Sequence, residues 1–141
     1  MRKSNEELMQ ELSDGCISLD AFFATNATEL VNEEIPAFWK TLIEKSGMSK
    51  TAIINCADFN YGYFFDIING RKIPSRDKLL RIIVAMQCTV DECQSALRIS
   101  GKSALYPRVR RDSIIIYALT NRLPVSKLHE LLIRFGERPL R

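Results

Sequence analysis

A chain of 141 residues with 46% hydrophobic content is long enough to bury one core, or one core with a small helical appendage, in a compact soluble protein. Its apolar runs IIIYAL and RIIVAM are core-helix lengths, well short of the roughly eighteen residues of a membrane span, and MRKSNEELMQEL has no apolar run behind its basic pair. Neither a spanning segment nor a signal peptide is expected, which places the chain in the cytoplasm. The net charge of +3 is divided: residues 1–44 carry three basic and nine acidic side chains, a net −6, and residues 45–141 carry seventeen and eight, a net +9. That is an acidic N-terminal segment on a basic body able to meet phosphates.

In chain order, Leu8, Met9 and Leu12 recur at helical spacing, and Ser18-Leu19-Asp20-Ala21-Phe22-Phe23 has the form of a second short helix start. Pro36 suits a first helical turn, where its missing N–H costs nothing, and Phe38, Trp39, Leu42 and Ile43 then share a face that ends at Ser46-Gly47. Ser49 caps a helix to about Ala57 with Ile53, Ile54 and Ala57 inward. Asp58-Phe59-Asn60 is a tight turn, and a helix from Tyr61 to Ile68 stops at Asn69-Gly70. Pro74-Ser75 opens a helix with Leu79, Leu80, Ile82, Ile83 and Met86 on a broad apolar face, and Thr89-Val90-Asp91-Glu92 is a capping box for a helix through Leu97, closed by Gly101. Residues 112–121 hold three isoleucines, which favour a strand, but a lone strand has no partner here and a buried helix is expected. Ser126 is read as the cap of a last helix, with Leu128, Leu131, Leu132 and Phe135 on one side and Gly136 at its end.

Helix, glycine, capped helix, three-residue turn, helix, Asn-Gly, basic pair, proline, capped helix is the order that a compact helical DNA-binding unit requires. The segment EKSGMSKTAIINCADFNYGYFFDIINGRKIPSRDKLLRIIVAMQCTVDE resembles the helix-turn-helix of the Cro and lambda-repressor type, the xenobiotic-response-element family, over roughly fifty residues and without a gap. The YGY run, PSRDKLL and LYPRVRRD also resemble a subgroup of short bacterial regulators. The resemblance implies an all-α protein: an acidic helical segment at 1–35, a helix-turn-helix core at 36–101 and a helical extension at 102–141 packed on that core. It places Ile53, Ala57, Phe59, Phe64 and Ile67 in the core. Lys50 and Thr51 fall at the start of the first helix of the motif, and Asn60, Tyr61, Gly62 and Tyr63 on the first turn of the recognition helix. Arg71 and Lys72 match the family's basic loop, and Arg76 begins the next helix. Asp58, Ile54 and Ile68 depart from a usual glycine, alanine and glutamate, and Phe65 from a polar, exposed residue.

On this reading the partner is double-stranded DNA. Phosphate contacts fall to Lys50, Arg71, Lys72 and Arg76, and base readout to Asn60 and to Tyr61 or Tyr63. The function implied is sequence-specific transcription control by a homodimer, because readers of this size pair half-sites. FNYGYFFDIIN nevertheless carries five aromatics, one acid and no base. Phe64 and Ile67 make one apolar stripe, and Tyr61, Phe65 and Ile68 make another at i, i+4 and i+7. The second stripe points to a competing function, a protein-interaction adaptor docking through this helix, or to coverage by the N-terminal helices or a second copy. Gly62, costly inside a helix, suits a close backbone approach.

The basic run YPRVRR, with Lys102 nearby, is either a flanking DNA contact or a solvated loop. Cys16, Cys56, Cys88 and Cys93 form no CxxC pair and His129 is the only histidine, so reduced thiols are expected, with no metal and no cofactor. With one histidine, no nucleophile elbow and no phosphate-cradling glycine loop, enzyme chemistry is not expected.

Overall fold

The computed structural model describes residues 3–15, 18–26 and 35–141, and the chain divides into two compact units, Met1–Glu34 and Ile35–Arg141. Every regular element among the described residues is a helix, and none is long and apolar enough to cross a membrane. The first unit holds α1 (Asn5–Ser13) and α2 (Leu19–Thr25). Each begins on a serine whose hydroxyl accepts an orphan N–H, Ser4 from Glu7 and Ser18 from Ala21. Lys3 Nζ ties them together, donating to Glu11 at 2.8 Å and to Asn26 Oδ1 at 2.6 Å. Cys16 lies outside the described residues.

The second unit holds α3 (Ile35–Ser46), α4 (Lys50–Ala57), α5 (Tyr61–Ile68), α6 (Arg76–Ala85), α7 (Val90–Ile99), α8 (Arg110–Thr120) and α9 (Val125–Arg134). The hub is α6, which packs against α4, α7 and α9 and buries Leu79, Leu80, Ile82, Ile83, Val84 and Ala85. Trp39, Leu42 and Ile43 from α3, Ile53, Ile54 and Ala57 from α4, and Leu97 from α7 join the same core. So do Ile115, Ala118, Leu119, Leu128, Leu132 and Leu140, and residues 102–141 therefore share one core with residues 36–101.

Local chemistry explains most boundaries. Ser49, Ser75 and Thr89 accept helix N–H groups, and Thr89 completes a capping box in which Glu92 accepts the Thr89 N–H at 2.8 Å. Gly70, which ends α5 with Asn69, has φ +77°, a conformation open to glycine without steric cost. Two boundaries differ from expectation at the C-terminal end. The helix expected over 112–121 is present, but α8 spans Arg110–Thr120, so it begins two residues earlier, after an N-cap at Val109 that has no side-chain cap bond. Likewise α9 begins at Val125 after Pro124, so Ser126 sits inside the helix and caps nothing. Phe135 also points outward, 44% exposed, between the guanidinium groups of Arg110 and Arg134.

What holds the extension in place is a crossed pair of salt bridges. Arg76 and Asp77 open α6, and Arg111 and Asp112 lie in the first turn of α8. Arg76 donates to both Asp112 oxygens at 3.0 Å, and Arg111 donates to both Asp77 oxygens at 2.8 and 3.0 Å. Each guanidinium also donates to two backbone carbonyls, Ser103 and Ala104 for Arg76, Arg138 and Pro139 for Arg111. Bidentate geometry of this kind satisfies nearly all donors of both arginines.

These pairs make acid destabilising. Burial works against the Asp77 carboxylate, but the Arg111 hydrogen bonds and charge outweigh it and hold its pKa below the usual value. Glu92 is held down chiefly by the Thr89 N–H. His129 is also lowered, by burial first and then by the charges of Arg81 and Arg111. A depressed pKa means that the unfolded chain takes up the proton first, so each contribution is present above the unfolded pKa and lost as pH falls through the native one. Urea midpoints are therefore expected to fall in two steps, one beginning near pH 6.5 from His129 and a larger one below about pH 4 from the carboxylates. A His129→Gln variant should lose only the first.

Candidate nucleic-acid interface

The turn between α4 and α5 is made by Asp58, Phe59 and Asn60. Asp58 takes the left-handed conformation at φ 57°, one that aspartate tolerates better than most residues. The Phe59 N–H then closes the turn on the Ile54 carbonyl at 3.0 Å. Asn60 caps α5, its Oδ1 accepting the Tyr63 N–H at 3.2 Å. From that start, Phe64, Ile67 and Ile68 enter the core while Asn60, Tyr61 and Gly62 are exposed.

The second apolar stripe expected on α5 is not continuous. Ile68 is only 6% exposed and belongs to the core, because the helix packs against α3 along this side. Phe65 is half-buried. It meets Phe64 edge to face, and Tyr61 stacks on it with centroids 5.9 Å apart. Lys50 Nζ lies 5.5 Å from the same ring. Tyr61 is 51% exposed, and its hydroxyl is 2.7 Å from that of Thr51, which joins the first turns of α4 and α5. Lys50, Thr51, Tyr61 and Phe65 thus form one ordered surface cluster.

On the other side of α5, Tyr63 stacks parallel to Phe59 at 5.9 Å and 6°. Lys72 and Lys78 approach the Tyr63 ring at 5.6 and 4.8 Å, and the Arg81 guanidinium lies 4.7 Å from the Phe59 ring. Arg71 and Lys72 are exposed, their charges partly offset by Asp66 at 3.7 and 3.5 Å. Among the described residues a Cβ on Gly62 would meet only Asn60 Oδ1, at 3.4 Å, an ordinary contact that does not demand glycine there.

Arg76 departs from its expected place among the phosphate contacts. Its guanidinium is held by Asp112 and two carbonyls of the C-terminal extension, and its side chain is 23% exposed. Sequence reading also missed Lys78 and Arg81. Their spacing behind Arg71 and Lys72 marks them only as charges on α6, and the rings that hold them come from a different helix and the turn before it.

Comparison of the chain with known protein families, with curated proteins and with solved structures returns no match. Among the described residues no three histidine, cysteine or acidic side chains gather to hold a metal ion. Burial pushes the thiols of Cys88 and Cys93 up to about 12 each, so both stay protonated and unreactive at neutral pH, whereas Cys56 is exposed.

Proposed function

We propose that α4, the turn and α5 form a helix-turn-helix of the lambda-repressor-like kind, with the N-terminal helices and the 102–141 extension as additions to it. In this reading the protein is a sequence-specific DNA-binding regulator of transcription. The observation that carries it is the division of α5: its first turn leaves Asn60, Tyr61 and Gly62 outward, with Thr51 against Tyr61, Lys50 beside Phe65 and Lys72 beside Tyr63, while its remaining apolar residues are mostly taken by the core. A helix entering the major groove needs that division, with polar groups at its N-terminal end for base edges and cations beside it for phosphates.

Asn60 offers its amide to a base edge, and Tyr61 its hydroxyl or ring edge. The acid Asp66 sits between Arg71 and Lys72, where it would otherwise repel the backbone. Gly62 lets the backbone of α5 come close to the duplex, a role consistent with the open space around it. One such module has little contact area, so a homodimer reading two half-sites is the working assembly. The adaptor reading is weaker, because of its docking stripe only Tyr61 stays well exposed.

Selection from a random duplex library at two salt concentrations tests the proposal. An enriched motif is expected, bound more weakly at the higher salt. Replacing Arg71 and Lys72 with alanine should weaken binding to all sequences alike and lower the salt slope by about 2. Asn60→Ser, which keeps a capping hydroxyl, should instead relax preference at one base position. Gly62→Ala should stabilise the fold by up to about 1 kcal/mol while weakening binding. A library that yields no motif removes the DNA reading.

A further inference from the structure

Resting on that reading, we infer that the phosphate-contacting edge of the interface continues along α6, with Lys78 and Arg81 as contacts and Tyr63 as the positioning residue that holds Lys78. Tyr63 stands on the first turn of α5, where a base reader is expected, yet its ring is already occupied. Phe59 stacks on it at 5.9 Å, and Lys78 and Lys72 lie 4.8 and 5.6 Å from its centroid. A ring engaged in this way has little surface left for a base, but it orders an ammonium group that would otherwise sample many rotamers. The entropy that Lys78 loses on meeting a phosphate is thereby reduced before binding.

Charge points the same way. Arg71, Lys72, Lys78 and Arg81 sit along this edge with two acids, Asp66 and Asp58, which leaves an excess of two positive charges. Asp66 serves Arg71 and Lys72, and among the described residues Lys78 and Arg81 have no carboxylate partner. Arg81 donates to the Asp58 carbonyl at 3.2 Å and lies 4.7 Å from the Phe59 ring, so the guanidinium is pinned at the α4–α5 turn rather than neutralised. Lys78 and Arg81 are three residues apart, on neighbouring positions of one helix face. They replace Arg76, which the C-terminal extension has withdrawn.

The test is binding of the full chain to a random-sequence duplex across a series of salt concentrations, with sequence preference read in parallel. Lys78→Ala and Arg81→Gln should each lower the slope of log affinity against log salt by about 1 without changing preference. Tyr63→Leu should lose part of the Lys78 effect, and Tyr63→Phe, which keeps the ring, should restore wild-type affinity, slope and preference. Unchanged slopes in both Lys78→Ala and Arg81→Gln overturn the inference while leaving the DNA reading standing. Loss of preference in Tyr63→Phe makes Tyr63 a base reader through its hydroxyl and overturns its positioning role. A wild-type chain with no salt-dependent duplex binding overturns both readings together.

Discussion

Asp112→Ala is expected to lower the unfolding free energy by about 3–5 kcal/mol, read from urea denaturation at neutral pH. The carboxylate accepts from both Nη atoms of Arg76 and from the Tyr106 N–H at 3.0 Å. Removing it leaves a guanidinium at a site where the side chains are 23% and 6% exposed, with a backbone donor orphaned beside it. The loss comes from that uncompensated charge more than from the attraction given up. Replacing both partners, Arg76→Met with Asp112→Leu, should recover part of the stability, because the buried charge is gone while the Tyr106 N–H and the Ser103 and Ala104 carbonyls still lose their partners. If the double variant is as unstable as the sum of the two single ones, the pair is not acting as a unit.

Phe64→Ala is the other large effect, about 3–5 kcal/mol by loss of burial and creation of a cavity. Its ring is fully buried, wedged edge to face against Phe65. Tyr61→Ala, three residues earlier on the same helix, should change stability by less than about 1 kcal/mol, since half of that side chain is in solvent and its hydroxyl bond to Thr51 is at the surface. The contrast separates the two halves of α5. If both substitutions destabilised alike, the division of the helix into core and outward residues would be wrong.

Much of the scaffold was legible in the sequence because it depends on neighbours along the chain. Ser49 and Thr89 cap helices since a hydroxyl reaches an N–H three residues on, and that spacing is visible without coordinates. Asp58 in the left-handed turn and Gly70 after α5 are equally local. Asn60 could have been read as a cap too. Its Oδ1 faces the helix and accepts the Tyr63 N–H, the spacing of a cap. Val109 and Pro124 make no side-chain cap bond, so the starts of α8 and α9 carry no local signal in the sequence.

The site was less legible because its chemistry depends on distant pairs. Arg76 and Asp112 are 36 residues apart, Asp77 and Arg111 34, and no periodicity connects them. Read along the chain, Arg76 is a free cation at a helix start; folded, it is a bolt between α6 and α8. Ile68 falls on the outward stripe by helical spacing, but α3 crosses that side of α5 and draws it into the core.

The sequence alone thus determined the helices, most of their limits and the apolar residues of the common core, because caps, turns and periodic burial act over a few residues. Which cations are held by aromatic rings, and which is closed off in a salt bridge, was decided only when α6 brought Lys78 and Arg81 against Tyr63 and Phe59 and the extension closed on Arg76. Those are encounters between helices, set by packing and charge pairing across the fold, and the chain's local order does not contain them.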